Sequence, residues 1–228
     1  LRYGARMLLK SPGFTAMAVL VLALGIGANT TIFSYANFLL YGRLQVANPD
    51  RIVVLWAANP SRHWDRNVAS FPDFLDWKEQ ARSFENLAAV FSATQNLAGA
   101  DEPVRVSADR VSAGFFSILG IKPTLGRTFL PEEDRPAGSR GVVLSYGLWQ
   151  RRFGADPNIL SKTIKLDGES YSVIGVMRPN VPFQLQTDLW LPLALDERQA
   201  DRGRRFLFVL GRLRPGTTIA EARAEMTA

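Results

Sequence analysis

Residues 14–40 read FTAMAVLVLALGIGANTTIFSYANFLL, and no charged side chain occurs between Lys10 and Arg43. A bilayer core is crossed by about 20 apolar residues as helix, so this stretch predicts a transmembrane helix over 14–42. Upstream, Arg2, Arg6 and Lys10 recur every four residues, which stacks them on one helical face and predicts a short interfacial helix over 1–13 on an anionic leaflet. These cations precede the span and little positive charge follows it, so the N-terminus is expected in the cytoplasm and everything beyond about Gly42 outside. A cleaved signal peptide ending near Gly25-Ile26-Gly27 is the competing reading. Apolarity resumes at Ile32-Phe33 and Phe38-Leu39-Leu40-Tyr41, which favours the anchor.

Within the span, Gly25-Ile26-Gly27-Ala28-Asn29-Thr30 superficially resembles a phosphate loop, but the third glycine and the preceding strand are missing. The same residues suit helix packing in a membrane. Ala23 and Gly27 at four-residue spacing, with Gly25 between them, allow a second helix to approach closely, and Asn29 can hydrogen-bond across the contact.

Outward from the span the chain is mixed α+β. Ile52 to Trp56 is a short apolar run between prolines and predicts a buried strand. Ser70 and Asp73 form a capping box opening a helix with Phe71, Phe74, Trp77, Ala81 and Phe84 roughly on one face. Leu87 to Leu97 and Val104 to Ala108 predict a hairpin, and Phe115 to Leu119 a short helix ended by Gly120. Pro131 to Gly141 is polar and rich in breakers, which predicts a subdomain boundary. Past it come a strand at Val142 to Leu144, a helix from Tyr146 to Phe153 closed by Gly154, and a hairpin turning at Asp167-Gly168. Leu189 to Pro192 predicts an edge-type strand, Phe206 to Leu213 a strong strand, and Thr218 with Glu221 a second capping box. The chain begins at Leu1 and stops inside this last helix, the pattern expected of a piece of a longer protein.

Composition narrows the function. With 47% hydrophobic residues in 228 there is ample material for a core. There is no cysteine, which removes disulfides, thiolate metal sites and cysteine nucleophiles. The net charge of +6 is spread among interleaved acids and bases rather than gathered into a stripe, which argues against nucleic acid. His63 is the only histidine, so a metal site would have to rest on carboxylates and a Ser-His-Asp triad could form only around this one residue, which reads as a surface-loop histidine. Glu132 and Glu133 read as solvated loop acids, Arg198, Arg202, Arg204 and Arg205 as a solvated basic loop, and Trp56, Trp77, Trp149 and Trp190 as core. No catalytic residue, metal or cofactor is expected, and the chain is not expected to be an enzyme.

Several segments also resemble a known family. Ser11 to Thr15 followed by Val19 to Ser34 resembles the first membrane helix of MacB-like ABC transporter permeases, in particular those with duplicated halves. Phe116 to Phe129, Val173 to Met177, Asp188 to Pro192 and Arg212 to Gly216 resemble the periplasmic core domain of the MacB, LolCE and FtsX superfamily. The resemblance implies a porter-like subdomain in two parts, 43–140 and 203–228, with a β-rich sabre-like subdomain over 141–202 inserted between them. It further implies an inner-membrane permease with a periplasmic main domain that couples cytoplasmic ATP hydrolysis to extracytoplasmic movement for efflux, lipoprotein extraction or signalling. Its expected partners are an ABC ATPase subunit, a second permease chain or half, and membrane lipids. No Gly-x-x-x-x-Gly-Lys-Ser/Thr occurs, so the ATPase belongs to another chain or segment. The alternative from a different class is an anchored or secreted binding module without a transport role.

Overall fold

The computed structural model of the chain describes residues 13, 46–59, 64–98, 102–179, 181, 187–196 and 201–227. By contacts the chain divides into Leu1–Leu44 and Gln45–Ala228. The expected interfacial helix and span, including Ala23, Gly25, Gly27 and Asn29, lie outside the described residues but for Gly13. Among the described residues no helix is long and apolar enough to cross a membrane.

The second unit is mixed α/β. Its strands are β1 (Ile52–Leu55), β2 (Ala57–Asn59), β3 (Trp64–Asn67), β4 (Ala69–Ser70), β5 (Phe84–Ala98), β6 (Val104–Val111), β7 (Pro123–Gly126), β8 (Gly141–Leu144), β9 (Thr163–Leu166), β10 (Glu169–Met177), β11 (Leu189–Pro192) and β12 (Arg205–Leu213). Its helices are α1 (Phe71–Gln80), α2 (Phe115–Leu119), α3 (Tyr146–Phe153) and α4 (Ile219–Thr227). Among the described residues β2 and β3 pair with each other, and the remaining strands form one sheet in the order β1-β12-β5-β6-β11-β8-β10-β7, with β4 on β12 and β9 bridging β10 and β5.

Two packing arrangements share that sheet. At one end β1, β12 and β5 are antiparallel, with α1 and α4 over one face and α2 over the other. Alternation along β5 divides its residues accordingly: Leu87 and Ala89 join Phe71, Phe74 and Ala222, whereas Ala88 and Val90 join Phe115, Phe116 and Ile118. At the other end the pairings run β5 to β6, β6 to β11, β11 to β8, β8 to β10, β10 to β9 and β9 back to β5. Six strands thereby close on themselves, which removes the free edges an open β subdomain would carry. Leu97, Val106, Leu144, Ile164, Leu166 and Leu191 belong to the core of this ring. The strands of 141–202 are thus hydrogen-bonded into the same sheet as β5 and β6.

Local signals were obeyed closely. Ser70 Oγ accepts from the Asp73 N–H at 3.3 Å while Asp73 returns the bond to the Ser70 N–H at 3.2 Å. Thr218 and Glu221 repeat the arrangement at α4. At the β9–β10 turn Asp167 and Gly168 have φ of 47° and 84°, the double left-handed geometry of a type I′ hairpin. In β10, Tyr171, Val173 and Val176 all reach the ring core, because a register shift between Val173 and Gly175 inserts one residue and resets the alternation.

Three expectations need correction. Phe84 is not on the apolar face of α1, which ends at Gln80, but opens β5. Ile52 to Trp56 is not a buried strand: β1 lies at the end of the sheet order, and Val54 and Trp56 are 40% and 41% exposed. Trp56 instead meets Phe208 edge to face at 5.3 Å. Conversely, β11 is no edge strand but runs between β6 and β8. Proline is tolerated there because β8 pairs only with Leu189 and Trp190, so no partner strand needs an N–H from Pro192.

Candidate functional site

The residues that join the N-terminal segment to the sheet converge on one end of β12. Val46 is buried, and the Ala47 N–H donates to the Leu119 carbonyl at 3.3 Å. Asn48 takes a left-handed φ of 51°, a conformation asparagine tolerates, and turns the chain into Pro49–Arg51 and then β1. Ile52 pairs with Arg212 and Asn86 pairs with Arg212 from the other side, so the incoming chain, β12 and the start of β5 lie side by side.

Two arginines lock this junction. Arg212 is only 7% exposed; its Nε donates to the Ile118 carbonyl at 2.9 Å and its Nη2 to the Ala47 carbonyl at 2.8 Å. A second bond runs from Nη2 to the Ile118 carbonyl. One guanidinium therefore holds the incoming segment, the end of α2 and β12 together. Arg51 works on the other side, its Nε donating to the Leu213 carbonyl at 2.8 Å and its Nη2 pairing with Glu85 at the start of β5. Gly120 closes α2 with φ of 65°, and a Cβ there would stand 2.6 Å from that of Ala47. The glycine read from sequence as a helix stop is also what lets the incoming chain dock.

Beyond the junction, the Pro131–Gly141 loop is fastened by two acids, Glu133 buried and Asp134 partly buried. Glu133 receives a two-pronged bond from Arg127 at 2.7 and 2.9 Å, together with the Leu130 N–H and the Ser139 hydroxyl. The guanidinium outweighs burial and holds this carboxyl down at about 2. Asp134 accepts from the Ala113 and Ala194 N–H groups, and burial pushes its carboxyl up. Near this loop, α1 and the chain after β11 form an open groove of about 860 Å³ lined by Phe71, Phe74, Leu87, Phe129 and Leu193.

The sequence-derived candidates divide. Glu133 is not a solvated acid but 4% exposed and fully engaged. The basic loop is not free: Arg202 pairs with Asp73 and Asp76, and Arg205 with Asp73, both acids lying on α1. Trp149 and Trp190 are core. His63 and Arg198 lie outside the described residues. Among the described residues no cluster of acids could hold a metal ion. Sequence reading missed the roles of Arg212 and Arg51, and the available signal was a cation inside the otherwise apolar run from Phe206 to Leu213.

The profile of the MacB-like periplasmic core domain matches residues 15–228. The chain belongs to this family. Membership places it among ABC-type transporter permeases, with the MacB-like domain on the extracytoplasmic side. The fold agrees with that of the periplasmic region of MacB from Actinobacillus actinomycetemcomitans, at 16% identity and a TM-score of 0.60, covering 80% of this chain and 82% of that one. It agrees equally with the extracellular domain of the ABC-type transporter YknZ from Gram-positive bacteria, at 14% identity and a TM-score of 0.57, covering 75% and 88%. No curated protein matches the chain. The MacB-like domain thus has its arginine lock where the chain from the N-terminal segment joins the sheet.

Proposed function

We propose that this MacB-like domain is a mechanical relay: movement of the membrane helix, driven by an ABC ATPase on the cytoplasmic side, enters at Val46–Arg51 and leaves through the closed ring of strands. The observation that carries this reading is the lock at Ala47. A segment meant only as a tether needs no buried guanidinium binding it to a strand and a helix. From the lock, β5 runs without interruption for 15 residues, pairing first with β12, then with β6 and finally with β9. At about 3.3 Å per residue it reaches roughly 45 Å, which suits it to transmit rather than absorb a displacement. The partners on this reading are the ATPase and a second permease chain or half, the domain has no catalytic activity of its own, and its output is efflux, lipoprotein extraction or signalling.

The absence of cysteine makes the test clean. Spin labels at Lys122→Cys, beyond α2, and Glu102→Cys, at the β5–β6 turn, report the interior of the domain; Lys10→Cys with Glu102→Cys spans the membrane segment. In the full permease reconstituted with its ATPase, ATP should change the 10–102 distance and leave the 122–102 distance constant. A 10–102 distance indifferent to nucleotide refutes the relay.

A further inference from the structure

We infer that the arginine junction is also a binding site for a phosphate-type anion, presented either by a lipid headgroup or as free phosphate. Among the described residues Arg212 uses Nε and Nη2 on carbonyls, and its Nη1 has no partner. Arg51 likewise uses only Nε and Nη2, on the Leu213 carbonyl and Glu85. Both guanidiniums line a cavity of about 390 Å³ together with Asn48, Asn86, Ser117 and Glu85. The side chains of Asn48, Asn86 and Ser117 make no hydrogen bond within the described residues.

Charge and donor chemistry select the ligand. Carbonyl dipoles orient the Arg212 guanidinium but do not neutralise it, and a cation this buried is stabilised by a counter-charge. Glu85 is the one carboxylate on the cavity wall, is 54% exposed on its side chain and is tied to Arg51, so two cations face one acid. Two planar guanidinium forks, two amides and a hydroxyl offer more donors than the two oxygens of a carboxylate accept, whereas a phosphate ester accepts from several directions at once. On the expectation of a span over 14–42, the tether to the site is short. Ala47 follows Gly42, the last residue of the expected span, by five residues, a tether of at most about 18 Å. The inference concerns the same junction as the relay but does not require it, since binding is read without ATP or ATPase.

The test uses the full chain in dodecyl maltoside, stripped until no lipid phosphorus remains, titrated with sodium phosphate against sodium chloride of equal ionic strength. Calorimetry should show one saturable phosphate site, with a matching rise in melting temperature. Ser117 is exposed and without a side-chain hydrogen bond, so Ser117→Asp leaves the fold alone but supplies the missing anion from within. It should weaken phosphate binding by at least about tenfold, the loss expected of one charge-assisted bond, and raise the melting temperature without phosphate. Gln150→Glu, which adds the same charge at an exposed position of α3 outside the cavity lining, should bind as the unchanged chain does. In nanodiscs of phosphatidylethanolamine and phosphatidylglycerol, loss of the phosphate response identifies a headgroup as the occupant, and an unchanged response identifies free phosphate. No saturable binding in stripped detergent, or undiminished binding by Ser117→Asp, overturns the proposal. A failed relay with intact phosphate binding, or the reverse, separates the two readings.

Discussion

Glu133→Gln tests how firmly the Pro131–Gly141 loop is fastened. The substitution keeps one acceptor for Arg127 but removes the charge that draws four donors onto this side chain. A carboxyl lowered from 4.5 to about 2 corresponds to roughly 3 kcal/mol by linkage; because Arg127 is 47% exposed, solvent screening reduces this to about 2 kcal/mol. With an m-value of about 2 kcal/mol per molar, the urea midpoint at pH 7 should fall by about 1 M. The pH dependence follows from the direction of the shift. Since the folded value lies below the unfolded one, the stabilisation is complete above about 4.5 and disappears as pH falls through about 2, with roughly 40% left at pH 3. Urea unfolding of both forms, followed by tryptophan fluorescence at pH 7 and pH 3, should therefore show a gap that shrinks by more than half. Equal stability at pH 7, or an undiminished gap at pH 3, refutes the assignment of this energy to the ionised Glu133.

Two further outcomes follow from close approach and from burial. Gly175 pairs with Gly126, and a Cβ on Gly175 would stand 2.2 Å from the Arg127 carbonyl oxygen. Gly175→Ala should therefore separate β7 from β10 and lower stability by about 1–3 kcal/mol in the same urea assay; an unchanged midpoint would contradict the backbone contact. Asp109 is 1% exposed, bonded to the Ser92 and Thr187 hydroxyls at 2.8 and 2.6 Å, and burial pushes its carboxyl up. A raised folded value means its contribution is most favourable below the unfolded pKa and declines as pH rises through the folded one, the opposite sense to Glu133. Asp109→Asn should thus stabilise the chain at pH 7 by about 1 kcal/mol and lose that advantage in acid; destabilisation at pH 7 would show that the charge is needed.

Much of the local structure was legible because its causes are local. The capping boxes at Ser70 and Thr218, the left-handed stops at Gly120 and Gly154, and the Asp167-Gly168 turn each depend on residues within one turn of chain. The β5–β6 hairpin was readable for the same reason, its strands being separated by a short connection. Placement within the sheet was not. Ile52 to Trp56 and Leu189 to Pro192 are both short apolar runs, yet the first lies at the sheet's edge and the second in its interior. Alternation within a strand says which faces are apolar, not how many neighbours flank it. The junction was hidden because Arg212 meets Ala47 across 165 residues and Ile118 across 94.

Sequence alone determined the family, the caps and turns that rest on neighbouring residues, and the exclusion of thiol chemistry, since these follow from composition, short spacings and linear motifs. Only the tertiary structure decided that β9 returns to β5 to close a ring, that Glu133 is a fastening rather than a solvated acid, and that Arg212 joins the incoming chain to α2 and β12. Those outcomes depend on which distant segments share a dielectric and a set of donors. That is fixed when the sheet order is fixed, and no single stretch of the chain encodes it.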